Sequence, residues 1–203
     1  MRPLRSALAL LALAGVCRAQ VIEFESGGLK YKTQTKNGVT IMFAHLPSQV
    51  RDYSIVTVAV SNGSPFPWVL KVDDFHFEKP DGSVLHPAKP RNVVKELIDK
   101  AGRNDVIKLV ATYEISLYGL TRLQSTNGYE QRRQAAFAEL TSAKLKAAAA
   151  ASAIAFVDTK LLPGQTTDGA LFYPNSGKAL GNGKLIVRAA GEQFEFSSEP
   201  LAP

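Results

Sequence analysis

The side chains best suited to chemistry gather around one short turn. His76, Glu78 and His86 flank the stretch Lys79-Pro80-Asp81-Gly82-Ser83. Proline followed by aspartate suits a type I turn, and glycine suits the left-handed position after it, so the stretch predicts a hairpin. In that register Lys79 pairs with Ser83 and His76 stands across from His86. Glu78 then shares their face, while Phe75, Phe77, Leu85 and Pro87 take the other. Two imidazoles and a carboxylate are ligands for Zn²⁺ or Cu²⁺, which makes His76, Glu78 and His86 the candidate metal site. The plainer reading is a solvated polar strand face, and a one-residue change in the turn would separate the histidines.

Other spacings lose their chemistry on inspection. Gly164 and Gly169, in "LLPGQTTDGALFYP", have the glycine spacing of a phosphate-cradling loop. The lysine, the hydroxyl and the helix that such a loop needs are all missing after Gly169, so Pro163-Gly164 reads as a turn feeding a strand. Asp73 and Asp74 are strand neighbours that would point to opposite faces. Asn62-Gly63-Ser64 fits a glycosylation acceptor triplet, but Pro65 follows, and the group reads as a turn. No nucleophile elbow, H-E-x-x-H or cysteine–histidine set occurs. No catalytic residue and no cofactor is therefore nominated, although catalytic groups can also assemble from distant positions.

The N-terminus carries its own signal. Arg2 and Arg5 precede an apolar run from 7 to 16, and Cys17-Arg18-Ala19 supplies small residues at −3 and −1. That order predicts a secretory signal peptide over residues 1–19, and export to the periplasm or the medium. A lipid anchor at Cys17 is the lesser alternative, because Ala14-Gly15-Val16-Cys17 departs from the Leu-Ala-Gly-Cys order of exported lipoproteins. Cleavage after Ala19 removes Cys17, which excludes disulfides and thiolate chemistry from the mature chain. It also removes three of the 24 Lys and Arg, leaving a net charge of +3 against 18 acidic residues. With the charge dispersed and no long basic run, nucleic acid is not an expected partner.

These candidates sit on a chain that reads β, then α, then β. Leu29 and Tyr31 begin an alternating run that turns at Asn37-Gly38 and resumes at Val39. "YSIVTVAVSNGS" is apolar on both alternations, as a strand covered on both faces should be. Short strands follow around Trp68 and Phe75. From 88 the period changes to that of helices. Val93, Val94, Leu97 and Ile98 form an apolar stripe ending at Gly102, and 105–120 is read as helix, although it also alternates like a strand. Residues 129–157 contain no proline or glycine and place Tyr129, Arg133, Ala136, Leu140, Ala143, Ala147, Ala150 and Ile154 at 4,3 spacing. This predicts one long helix with an alanine seam, packed on its own chain or used in self-association. Charges at Arg132, Arg133, Glu139, Lys144 and Lys146 exclude it as a membrane span. Strand texture returns after 157 and ends in a hairpin around Gly191.

The motifs "YSIVTVAVSNGS", "DDFHFEKPDGS" and "LLPGQTTDGALFY" together resemble a loose pattern of exported bacterial immunoglobulin-like domains. The likeness covers the β parts, and its motifs report strands and turns rather than chemistry. It implies a mainly β fold, an immunoglobulin-like antiparallel β-sandwich built from residues 20–87 and 157–203. A two- or three-helix insertion, residues 88–156, interrupts it. The functional expectation is a non-enzymatic exported protein whose insertion presents a protein-contact surface, centred on Tyr129, Arg133, Ala136 and Leu140. A small-ligand or metal-binding module is the alternative.

Overall fold

The computed structural model describes residues 20–118, 131 and 141–198. The fold is mainly β, with antiparallel sheets and three described helices. A five-stranded antiparallel sheet is the middle layer. It is formed by β1 (Ile22–Ser26), β2 (Leu29–Lys36), β3 (Val39–His45), β4 (Tyr53–Asn62) and β9 (Thr166–Pro174), in that spatial order. A four-stranded sheet packs on one face. It comprises β6 (Phe75–Glu78), β7 (Val84–Leu85), β10 (Gly183–Ala189) and β11 (Glu192–Ser198), in the order β11-β10-β6-β7. A ribbon of β5 (Trp68–Leu70) and β8 (Thr159–Leu161) lies beside them. The helices α1 (Pro90–Lys100), α2 (Arg103–Tyr118) and α3 (Ala143–Ile154) cover the other face of the five-stranded sheet.

β4 shows why three layers form. Tyr53, Ile55 and Ala59 join the core shared with the helices, whereas Val56, Val58 and Val60 join the core between the sheets. A strand that is apolar on both alternations must be covered on both sides, because each buried aliphatic side chain contributes about 1.5–3 kcal/mol. The helical core joins Leu29, Tyr31, Tyr53 and Phe172 of the sheet to Val93, Leu97 and Leu109 and to the alanines of α3. Residues 88–156 are thus spliced into the main core through their helices. The inter-sheet core is aromatic, with Phe43 edge-on to Phe196 at 5.0 Å and Phe75 edge-on to Phe156 at 5.1 Å.

The region from 105 is helical as far as Tyr118, and Gly102 N–H donates to the Asp105 carboxylate at 2.8 Å at its start. The long alanine-seamed helix expected over 129–157 requires correction. Thr141 and Ser142 are not helical, and Ser142 holds an extended backbone (φ −74°, ψ 131°) as the N-cap of α3. Threonine and serine side chains compete for backbone hydrogen bonds and favour such boundaries. The helix also stops at Ile154, before the expected end. Ala147, Ala148, Ala150, Ala151 and Ala153 are buried against α1, α2 and the sheet, so this half of the seam is used within the chain. No described helix is long and apolar enough to cross a membrane.

The helical excursion leaves and rejoins the sheets across one edge. Ala88 N–H donates to Phe172 O at 2.7 Å, and Phe156 N–H donates to Ala170 O at 2.9 Å. Both bonds fall on β9 and cover that margin of the middle sheet. Ala155 belongs to the helical core and Phe156 to the inter-sheet core, so the chain changes layers within one peptide. Gly169 makes the crossing possible, since a Cβ there would stand 2.5 Å from Phe156 Cα.

Candidate functional site

The hairpin that carries the histidines forms in the expected register. Lys79 N–H donates to Ser83 O at 2.8 Å, Gly82 N–H donates to Lys79 O at 3.0 Å, and Gly82 is left-handed at φ +81°. Phe77 pairs with Leu85 and Glu78 with Val84, which sets His76 across from His86. Their ring centroids are 6.0 Å apart. Phe75, Phe77 and Pro87 are buried, Leu85 packs against the inter-sheet core, and the histidines lie on the opposite face.

That face is a charged ladder. β10 pairs Ile186 with His76 and Lys184 with Glu78, and β11 places Glu195 beside Ile186. His76 Nε2 lies 3.5 Å from Glu78 Oε1, and Lys184 Nζ lies 3.7 Å from Glu195 Oε2. Burial lowers the His76 pKa, with Arg188 and His86 acting in the same direction and Glu78 opposing. Among the described residues no group of three His, Cys, Asp or Glu side chains could hold a metal ion. Of the expected set, His76 lies against Glu78 and across from His86. Glu78 stands one rung along, opposite Val84 and Lys184, and its carboxylate reaches back to His76.

A second constellation joins strands that sequence spacing keeps far apart. His45, at the end of β3, brings Nε2 to 2.7 Å from Ser198 Oγ on β11. The ring is edge-on to Phe43 at 5.5 Å and to Phe77 at 6.3 Å. Burial, followed by the Lys32 charge, depresses the imidazole pKa to about 4. Serine beside histidine is the geometry of an activated nucleophile. Ser198 Oγ also lies 3.2 Å from Gly181 O, and which of Ser198 and His45 donates is set by the imidazole tautomer. Such a pair works as nucleophile and base only where a third group orients the imidazole. The charged neighbour is a lysine rather than an orienting carboxylate. The pair reads as a polar clasp between the two sheets. Its 153-residue separation leaves no sequence motif; only the polar ends of two aromatic strands hint at it.

The glycosylation triplet resolves into a buried knot. Asn62 Nδ2 donates to Phe66 O at 2.7 Å and to Leu161 O at 3.1 Å, and its Oδ1 accepts from Ser64 N–H and Oγ–H. Trp68 Nε1–H donates to Ser64 Oγ at 2.7 Å. With both amide hydrogens committed inside the protein, the buried Asn62 organises the loop. Phe66, Val69 and Leu162 are left exposed around the β5–β8 ribbon. The Asp73-Asp74 pair sits in a 3₁₀ turn, where Asp74 accepts from Lys71 N–H at 2.7 Å and Asp73 lies 3.4 Å from Lys89 Nζ.

The expected contact residues Tyr129, Arg133, Ala136 and Leu140 lie outside the described residues. Compared with protein-family models, with curated proteins and with solved structures, the chain finds no match in any of the three.

Proposed function

We propose that the chain is a non-enzymatic, exported interaction protein of the cell envelope or medium, with the helical segment 88–156 presenting the contact surface. The finer fold reading, an immunoglobulin-like variant, belongs to this proposal. Antiparallel sheets packed face to face support it, while the consecutive run β1-β2-β3-β4 departs from the usual strand order. Export rests on the charge–apolar–small order of residues 1–19.

One observation carries the contact role. Although each helix turns an apolar stripe inward, each also keeps a large aliphatic side chain in solvent: Ile98 on α1 (42% exposed), Ile107 on α2 (54%) and Leu145 on α3 (43%). Lys144 Nζ donates to Asp99 O at 2.6 Å and brings the turns that carry Leu145 and Ile98 together. Outward aliphatic residues on a braced helical layer suit a protein partner better than a small ligand, which needs concavity.

The test is a photo-crosslinking residue placed in the exporting cell at 98, 107 or 145, with 184 on the charged sheet face as control. Adducts of one common mass from the helical positions, absent from 184, are expected. Equal adducts from 184, or none from the helices, would overturn the reading.

A further inference from the structure

The two edges of the middle sheet are treated differently. β9 is covered by the chain crossings at Ala88 and Phe156. β1 pairs with β2 on one side, and among the described residues no strand pairs with its other side. A strand edge of this kind presents alternate N–H and C=O groups outward and is a template for a further strand. The side chains of β1 are correspondingly open: Ile22 is 60% exposed and Phe24 38%.

Charge decides what such a strand should be. On one face of the sheet, Glu23 stands opposite Lys32 and Glu25 opposite Lys30, and the first pair closes to 2.7 Å. On the other face, Ile22 lies across from Thr33, and Phe24 stacks on Tyr31 at 5.2 Å. The sign of the charges alternates from β2 to β1, so the next strand outward should be basic on the first face and apolar on the second. A second copy does not fit. Antiparallel β1–β1 pairing with matched faces sets glutamate against glutamate in every register that overlaps three or more residues of the strand, and like charges directly opposite destabilise a sheet.

We propose that β1 is a docking edge for an extended segment of another protein, one that alternates apolar residues with lysine or arginine and adds as a further strand of the middle sheet. Backbone pairing supplies affinity, and Glu23 and Glu25 select the basic partner. This site is independent of the helical surface proposed above.

The probe is a labelled ten-residue peptide alternating leucine or tyrosine with lysine, after the Leu29–Lys32 pattern, titrated against the exported chain by fluorescence anisotropy. Saturable binding is expected, with slowed hydrogen exchange at the alternate amides of β1 that face away from β2. Glu25→Gln, which removes the exposed charge without setting lysine against Lys30, and Glu25→Lys should both weaken binding, the second about tenfold or more. Circular dichroism reports whether each variant is folded. The idea fails if the alternating peptide does not bind, or if a glutamate-for-lysine peptide or a scrambled peptide of equal composition binds as well. It fails equally if Glu25→Lys binds unchanged, or if the chain alone sediments as a dimer with the outward amides of β1 already protected.

Discussion

The His45–Ser198 clasp makes a quantitative statement about acid stability. His45 holds a pKa of about 4 in the folded chain, against an ordinary value of 6.5, because burial and Lys32 both oppose its charge. Between those values the unfolded chain binds a proton that the folded chain refuses, so stability rises with pH across the window. The contribution is complete above pH 6.5 and is lost as pH falls toward 4. At about 1.4 kcal/mol per pH unit, it amounts to about 3 kcal/mol, a large share of a typical domain's stability. Replacing His45 with glutamine keeps a side chain that can donate to Ser198 and removes the titration. Urea unfolding of both proteins from pH 7.5 to 3.5 should show the wild type losing about 3 kcal/mol more than the variant as pH falls. His76 also titrates at lowered pKa, and carboxylates protonate near the bottom of the range. Both effects occur in both proteins and cancel in the difference. Lys32→Ala should raise the NMR titration midpoint of the His45 ring. Parallel stability curves for wild type and His45→Gln would refute the reasoning, because the native imidazole would then titrate as it does in the unfolded chain.

Three further outcomes are expected. Gly169→Ala forces a methyl to 2.5 Å from Phe156 Cα and should cost about 1–3 kcal/mol or more in thermal unfolding; Gly164→Ala, left-handed but with nothing within 4 Å, should cost about 1 kcal/mol. Asn62→Ala removes the side-chain donor to the Leu161 and Phe66 carbonyls and the acceptor of Ser64 N–H, and should cost about 1–3 kcal/mol in thermal unfolding. Excising 88–156 uncovers Tyr31, Tyr53, Ile55 and Phe172, so the remaining β segments should bind a hydrophobic dye and lose cooperative unfolding. A soluble remnant that unfolds cooperatively would show the helical layer to be separable.

Much of the local structure is legible in the chain because its causes are local. Proline, aspartate and glycine at 80–82 set a turn and, with it, the opposition of His76 and His86. The apolar run of β4 announces a strand covered on both faces. Asn37-Gly38 and Gly191 mark their hairpins, whereas β1 precedes the first strand read from the sequence and its open edge is set by the sheet order. Tertiary structure decided the rest, because the deciding groups meet only after the chain has crossed between layers. Gly169 is glycine on account of Phe156, a neighbour set by the return from the helices. His45 meets Ser198 across the closed end of two sheets. The amide of Asn62 is used up by carbonyls supplied in part from Leu161. The helical period of 143–154 is local, but whether its alanines face a partner or their own sheet depends on which apolar surface lies nearest. Within this chain that surface is the uncovered face of β4 and its neighbours, tethered at an effective concentration that a separate molecule would have to exceed.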